Sequence, residues 1–197
     1  MKLVCGVGIN DWESPSYVNR KTVWQYQLWA GIINRCFNEK LKEKHPTYKN
    51  VSCCDSWLYM SKFAKDISSI KNSDKYESDG WEMDKDILFK GNKTYSSDTV
   101  CFVPIEINLL LTKSDRTRGE FPIGVHYNKR QKKFTSRVRK GAGSHKTLGV
   151  FLDSQSAFNA YKKAKESYIK EIAEKWKGII ADNVYEALMN YEVSIND

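Results

Sequence analysis

Residues 119–164, GEFPIGVHYNKRQKKFTSRVRKGAGSHKTLGVFLDSQSAFNAYKKA, decide how the C-terminal half of this chain folds. Alternation with period two puts Val125 and Tyr127 on one side of a strand and His126 and Asn128 on the other. In the next segment Phe134, Ser136 and Val138 oppose Thr135, Arg137 and Arg139 in the same way. A third strand turns Leu148 and Val150 inward and leaves His145 and Thr147 with the arginines. Asp153 or Ser154 then opens a helix whose apolar residues Ala157, Phe158, Tyr161, Ala164, Tyr168 and Ile172 share one side. The expected product is a three-stranded antiparallel sheet packed on a helix, with one apolar, covered face and one polar, bare face.

A bare face of Arg, His, Asn and Thr suits the major groove of double-stranded DNA. Arginine can pair bidentately with guanine and asparagine with adenine, while lysines neutralise phosphates without reading sequence. Lys129, Arg130, Lys132, Lys133 and Lys140 edge the sheet in that phosphate-facing role. The whole chain agrees in sign: 32 Lys and Arg against 24 Asp and Glu give a net charge of +8, favouring polyanionic partners. A solvated antiparallel sheet on a basic protein is the plainer alternative.

Upstream, apolar residues at Val23, Tyr26, Leu28, Trp29, Ile32, Ile33, Phe37 and Leu41 predict one helix that stops before Pro46. A second helix is expected to start near Asp55 and to bury Trp57, Leu58, Phe63, Ala64 and Ile67. KNSDKYESDG (71–80) reads as an exposed loop. Beyond it come a strand around Met83 to Phe89, a Gly-Asn loop, a strand at Thr99 to Val103 and a short helix entered through Pro104. The charged run Lys113 to Glu120 marks the boundary between a domain at 1–112 and a second at 119–197, whose helical extension breaks near Gly178 and Asp182. The chain is thus expected to be α+β: an N-terminal helical region with a ββα core, followed by the sheet and its helix.

IGVHYN, KFTSRV, TLGVF and SAFNAYKKA resemble, in order and spacing, the sequence elements of the AP2 DNA-binding domain. That resemblance implies insertion of the sheet in the major groove. By position it implies contacts from His126, Asn128, Arg130, Arg137, Arg139, His145 and Thr147, with Lys133 added as a phosphate neutraliser. Gly124 and Gly149 match fixed glycines of that domain and imply close approach of helix to sheet. Several positions usually filled by Arg or Trp in its plant members hold His126, Asn128, His145 and Thr147 here, so no target sequence is inherited.

The segment DKDILFKGNKTYSSDTVCFVPIEIN (84–108) is similar to the HNH nuclease core, and its order relative to the AP2-like segment is that of phage HNH/AP2 proteins. The similarity implies a hairpin and helix around Mg2+ or Mn2+, with Asp84, Asp86 and Asn108 as oxygen donors. The histidine that such cores use as general base is replaced by Lys85, a residue type that stays protonated at neutral pH unless strongly desolvated. Asn92 is the remaining candidate in that centre, with loop fixing as its plainer role. The resemblance therefore implies a DNA-binding protein that has lost cleavage. The alternatives are a metal-dependent, homing-type endonuclease with an unusual base, and a phage protein that blocks a host defence by protein-protein contact.

Cys5, Cys36, Cys53, Cys54 and Cys101 form an odd set with no Cys-x-x-Cys pair, which argues against a disulfide framework or a zinc knuckle and for reduced thiols. His45 beside Pro46 fits no specific zinc spacing, and Trp24, Trp29 and Trp57 sit at core rather than base-stacking positions. No run of eighteen uncharged apolar residues exists and the N-terminal apolar run is too short for a signal peptide, so the expected setting is the cytoplasm, that of the host if phage-encoded. Oligomeric state leaves no mark in the sequence.

Overall fold

The computed structural model describes residues 3–111, 120–141 and 145–195. It is an α+β protein that divides into two compact units, Met1–Ile105 and Glu106–Asp197. The boundary segment expected at Lys113 to Glu120 lies, except for Glu120, outside the described residues.

In the first unit a hairpin, β1 (Tyr17–Val18) with β2 (Lys21–Thr22), leads into α1 (Trp24–Phe37). The continuous helix expected from Val23 to Leu41 is broken at Asn38. That residue leaves helical geometry (φ −90°, ψ 101°) and its side chain accepts from the Leu41 N–H, capping a separate α2 (Glu39–Lys44). An asparagine competes for backbone donors in this way and so ends helices that hydrophobic spacing alone would continue.

The helix expected at Asp55 starts later. Residues Asp55–Leu58 form a single 3-10 turn, Tyr59 is extended, and α3 runs Met60–Ser69. Its N-terminus is satisfied from afar: Asp11 accepts from the Ser61 N–H at 2.8 Å and from the Ser61 hydroxyl at 2.7 Å. Leu28, Trp29, Ile32, Ile33 and Cys36 of α1 and Met60, Phe63, Ala64 and Ile67 of α3 form the buried sides of these helices. Trp57 stands edge-on to Phe63 at 4.9 Å between ring centroids. Both buried indoles are hydrogen-bonded, Trp29 to the Trp57 carbonyl at 2.8 Å and Trp57 to Asp66 at 2.9 Å, as burial of an N–H requires.

Residues 71–80 are more ordered than an exposed loop. They contain the short α4 (Lys75–Ser78), a buried Ser73, and Tyr76 with its ring tilted against Trp24 and edge-on to Phe102. Two small pairings follow. β3 (Ser52–Cys53) runs parallel to β5 (Thr94–Tyr95), and β4 (Glu82–Asp84) runs antiparallel to β6 (Cys101–Val103).

The second unit takes in all but the first residue of α5 (Ile105–Leu111). Glu106 accepts from Lys175 at 2.6 Å and from the Trp176 indole at 3.0 Å, and Lys165 donates to the Leu110 carbonyl at 2.6 Å. The sheet order is β7 (Val125–Asn128), β8 (Lys133–Arg139), β9 (His145–Phe151), antiparallel throughout. α6 (Ser154–Lys175) starts at the expected cap, Asp153 accepting from the Ser156 N–H at 2.7 Å and its hydroxyl at 2.8 Å. After Gly178, at φ +75°, α7 (Asp182–Met189) completes the unit. Val125, Val138, Ala157, Phe158, Tyr161 and Val193 are its buried cluster, with Phe121, Phe134, Leu148 and Phe151 packed around them.

One group in that core is out of place. Ser136 is fully buried and, among the described residues, its hydroxyl has no hydrogen-bond partner. Removing an unsatisfied buried hydroxyl relieves its desolvation penalty, so Ser136→Ala is expected to stabilise the fold by about 1 kcal/mol. The check is a urea titration in which the midpoint rises while the slope stays constant.

Candidate nucleic-acid interface

The outer face of the sheet is built by register. Asn128 faces Lys133; His126, Thr135 and Val150 form the next row; Arg137 faces Thr147, and Arg139 faces His145. His126, Arg137, Arg139, His145 and Thr147 are all exposed. These nine positions include no carboxylate, and among the described residues neither Arg137 nor Arg139 enters an ion pair. The Arg137 N–H donates to the Gly124 carbonyl at 2.8 Å, so the position of this arginine is fixed through the backbone at the start of β7.

Val150 is a correction. It was expected inward beside Leu148, yet it lies on the outer face, 52% exposed. The cause is a bulge in β9: Ser136 pairs with Gly149 and Arg137 with Thr147, which leaves Leu148 without a partner and shifts the alternation by one residue. Leu148 stays inward against the core, and Val150 emerges beside Thr135. An interior strand glycine is a known sign of a bulge, so Gly149 was the available signal. Gly149 also does not serve helix approach, because a Cβ there would meet the Phe151 ring at 3.1 Å rather than α6. Gly124 does serve it, lying under the Tyr161 ring of α6.

Two named residues have local duties. The Asn128 side-chain oxygen accepts from the backbone N–H groups of Arg130 and Gln131 at 3.0 and 3.1 Å, shaping the β7–β8 turn that closes through Lys132 at φ +51°. Arg130 is thereby presented, exposed, at the tip of that turn. Lys140 is engaged rather than spare: it pairs with Glu171 at 3.0 Å and lies 4.7 Å over the Tyr168 ring. Desolvation holds the His126 imidazole below its ordinary pKa, assisted by the positive charges of Arg137 and His145. This face therefore gathers the cationic side chains of Lys133, Arg137 and Arg139 beside neutral hydrogen-bond donors.

The hairpin in the first unit places the other candidates. The strand expected at Met83 to Phe89 ends at Asp84, because Asp84 Oδ1 accepts from the N–H groups of Asp86 and Ile87 at 2.6 and 2.9 Å and folds the chain into a turn. Asp84 and Asp86 thus do not share a strand face. Burial pushes the Asp84 carboxyl up, opposed by those two bonds. Lys85 Nζ donates to Asp86 Oδ2 at 2.7 Å and to the Asn92 carbonyl at 2.9 Å. Asn92 donates to the carbonyls of Lys85 and Thr94 and accepts from the Thr94 N–H, so it fastens both ends of the loop. Asn108 stands on α5, in the second unit.

The Lys85 ammonium occupies Asp86 Oδ2 and two backbone donors occupy Asp84 Oδ1, so a divalent cation would have to be held through the other oxygen of each carboxylate. Among the described residues, no three His, Cys, Asp or Glu side chains gather as metal ligands, and no helix is long and apolar enough to cross a membrane. No protein-family model, curated protein or solved structure matches this chain.

Proposed function

We propose that this chain binds double-stranded DNA by laying the outer face of β7–β8–β9 in the major groove, in the manner of an AP2-like domain. The observation that carries this reading is the uncovered sheet face on which Arg137 and Arg139 stand without a carboxylate among their row partners. Arg137, Arg139 and Thr147 supply base-edge donors, Thr135 and Val150 supply the methyl contacts that thymine favours, and Arg130 and Lys133 lie at the phosphate edge. The hairpin around Lys85, which stands where such cores carry a histidine and pairs with Asp86, is read as an HNH-like scaffold that does not cleave.

The test is a titration of the full chain against fluorescent duplex DNA of random sequence over a range of salt concentrations. Binding that weakens with salt, log affinity falling by ~0.9 for each phosphate contact per tenfold rise in salt, supports the proposal. No binding at low salt, or affinity indifferent to salt, overturns it. Supercoiled plasmid incubated with the protein and Mg2+ or Mn2+ addresses cleavage. Nicking that Asp86→Ala abolishes would replace the binding-only reading with the endonuclease.

A further inference from the structure

We infer that the outer sheet face reads two different chemical features in a fixed order: guanine through Arg137 and Arg139, and the 5-methyl group of a pyrimidine through Thr135 and Val150. The inference rests on the proposed DNA-binding reading and deepens it by naming the class of site this face selects.

Thr135 and Val150 are register partners, so their side chains stand side by side on one face of the sheet. Thr135 is half-buried and Val150 is exposed. Leu152, which directly follows β9, is 81% exposed and extends the apolar surface at that end. Every other row position of the face carries a polar or charged side chain. The β9 bulge is what brings the valine out. Without its extra residue, the alternation that turns Thr147 outward would turn Gly149 outward as well and send Val150 into the core. The bulge thus replaces a bare glycine in this row with a methyl-bearing side chain.

That patch has a chemical match in the major groove. Of the four unmodified bases only thymine presents a methyl group there, and cytosine gains one on the same ring carbon when methylated. Guanine offers O6 and N7 to an arginine fork. On β8, Arg137 and Arg139 follow Thr135 at successive same-face positions, each step covering about 6.8 Å, while stacked base pairs are about 3.4 Å apart. With β8 running along the groove, the methyl group lies about two base pairs from a guanine under Arg137 and about four from one under Arg139, on the same side of both.

The experiment first selects bound duplexes from a random pool with the full chain. The expected motif is guanine with thymine about two to four base pairs to one side. Affinity is then measured for four versions of that duplex that differ only at this pyrimidine: thymine, uracil, cytosine and 5-methylcytosine. Uracil should bind ~4-fold more weakly than thymine, the worth of burying one methyl-sized group. An equal gain of 5-methylcytosine over cytosine would assign the seat to the methyl group on either base, and no such gain would assign it to thymine. Val150→Ala should bring the thymine-to-uracil ratio towards one while the guanine preference and the melting temperature hold, since the truncated side chain is exposed. Equal affinity for thymine and uracil, or selected sites in which thymine keeps no fixed place beside guanine, would overturn the inference and leave salt-dependent DNA binding standing. No binding to any duplex at low salt would remove the DNA-binding reading and this inference with it.

Discussion

Gly124→Ala is expected to destabilise the second unit by roughly 2–5 kcal/mol. Two independent costs add. Gly124 is the third residue of a turn closed by the Val125 N–H on the Pro122 carbonyl, and it sits at φ +77°, where an L side chain costs about 1–2 kcal/mol. The added Cβ would also lie 2.0 Å from Tyr161 Cδ2, inside a ring held by the buried cluster of α6, so ring or strand must move, at about 1–3 kcal/mol or more. Hydrogen exchange of the β7 and β8 amides should report the loss as faster opening.

A double-mutant cycle separates the two costs. In a Tyr161→Ala background the clash is gone, and Gly124→Ala should cost only the left-handed part. Gly141→Ala is the control in the native background: φ is +62°, but the nearest atom to an added Cβ is the Tyr168 hydroxyl at 3.6 Å. Equal costs for Gly124→Ala with and without the Tyr161 ring would show that the contact does not matter. Because the Gly124 carbonyl holds the Arg137 N–H, the substitution should also weaken whatever Arg137 binds.

The second unit was legible because its strands are long enough for alternation to show and its helix has a cap. Seven residues in β8 sort themselves into two faces, and Asp153 announces α6. Legibility failed where one side chain redirected the backbone. Asn38 split a helix, Asp84 ended a strand after three residues, and the β9 bulge reversed Val150 while leaving His145 and Thr147 where alternation put them. The β3–β5 pair was beyond reach for another reason: two-residue strands have no period, and their partners are far apart in sequence. The candidate interface was accordingly read well in its polar rows and poorly in its one apolar member.

Arg137→Ala with Arg139→Ala should lower affinity for duplex DNA by at least ~30-fold at moderate salt, each arginine contributing about 1–3 kcal/mol if it reads a base. Both side chains are exposed on a strand whose inward residues Phe134, Ser136 and Val138 are untouched, so thermal stability should hold within about 0.5 kcal/mol. The loss then belongs to binding. Arg→Lys at the same positions divides base reading from phosphate neutralisation, because it keeps the charge and removes the planar fork. If these arginines read guanine, the Lys variants bind random duplex with an unchanged salt slope but lose discrimination among selected sequences. If they meet only phosphates, Arg→Lys is nearly neutral and Arg→Ala lowers the slope by about one for each residue. Lys133→Ala should behave as a phosphate contact, whereas Lys140→Ala should change little, its ammonium being paired with Glu171. Unchanged affinity in the double Ala variant would mean that the bare face is merely solvated and that any DNA binding resides elsewhere on the chain.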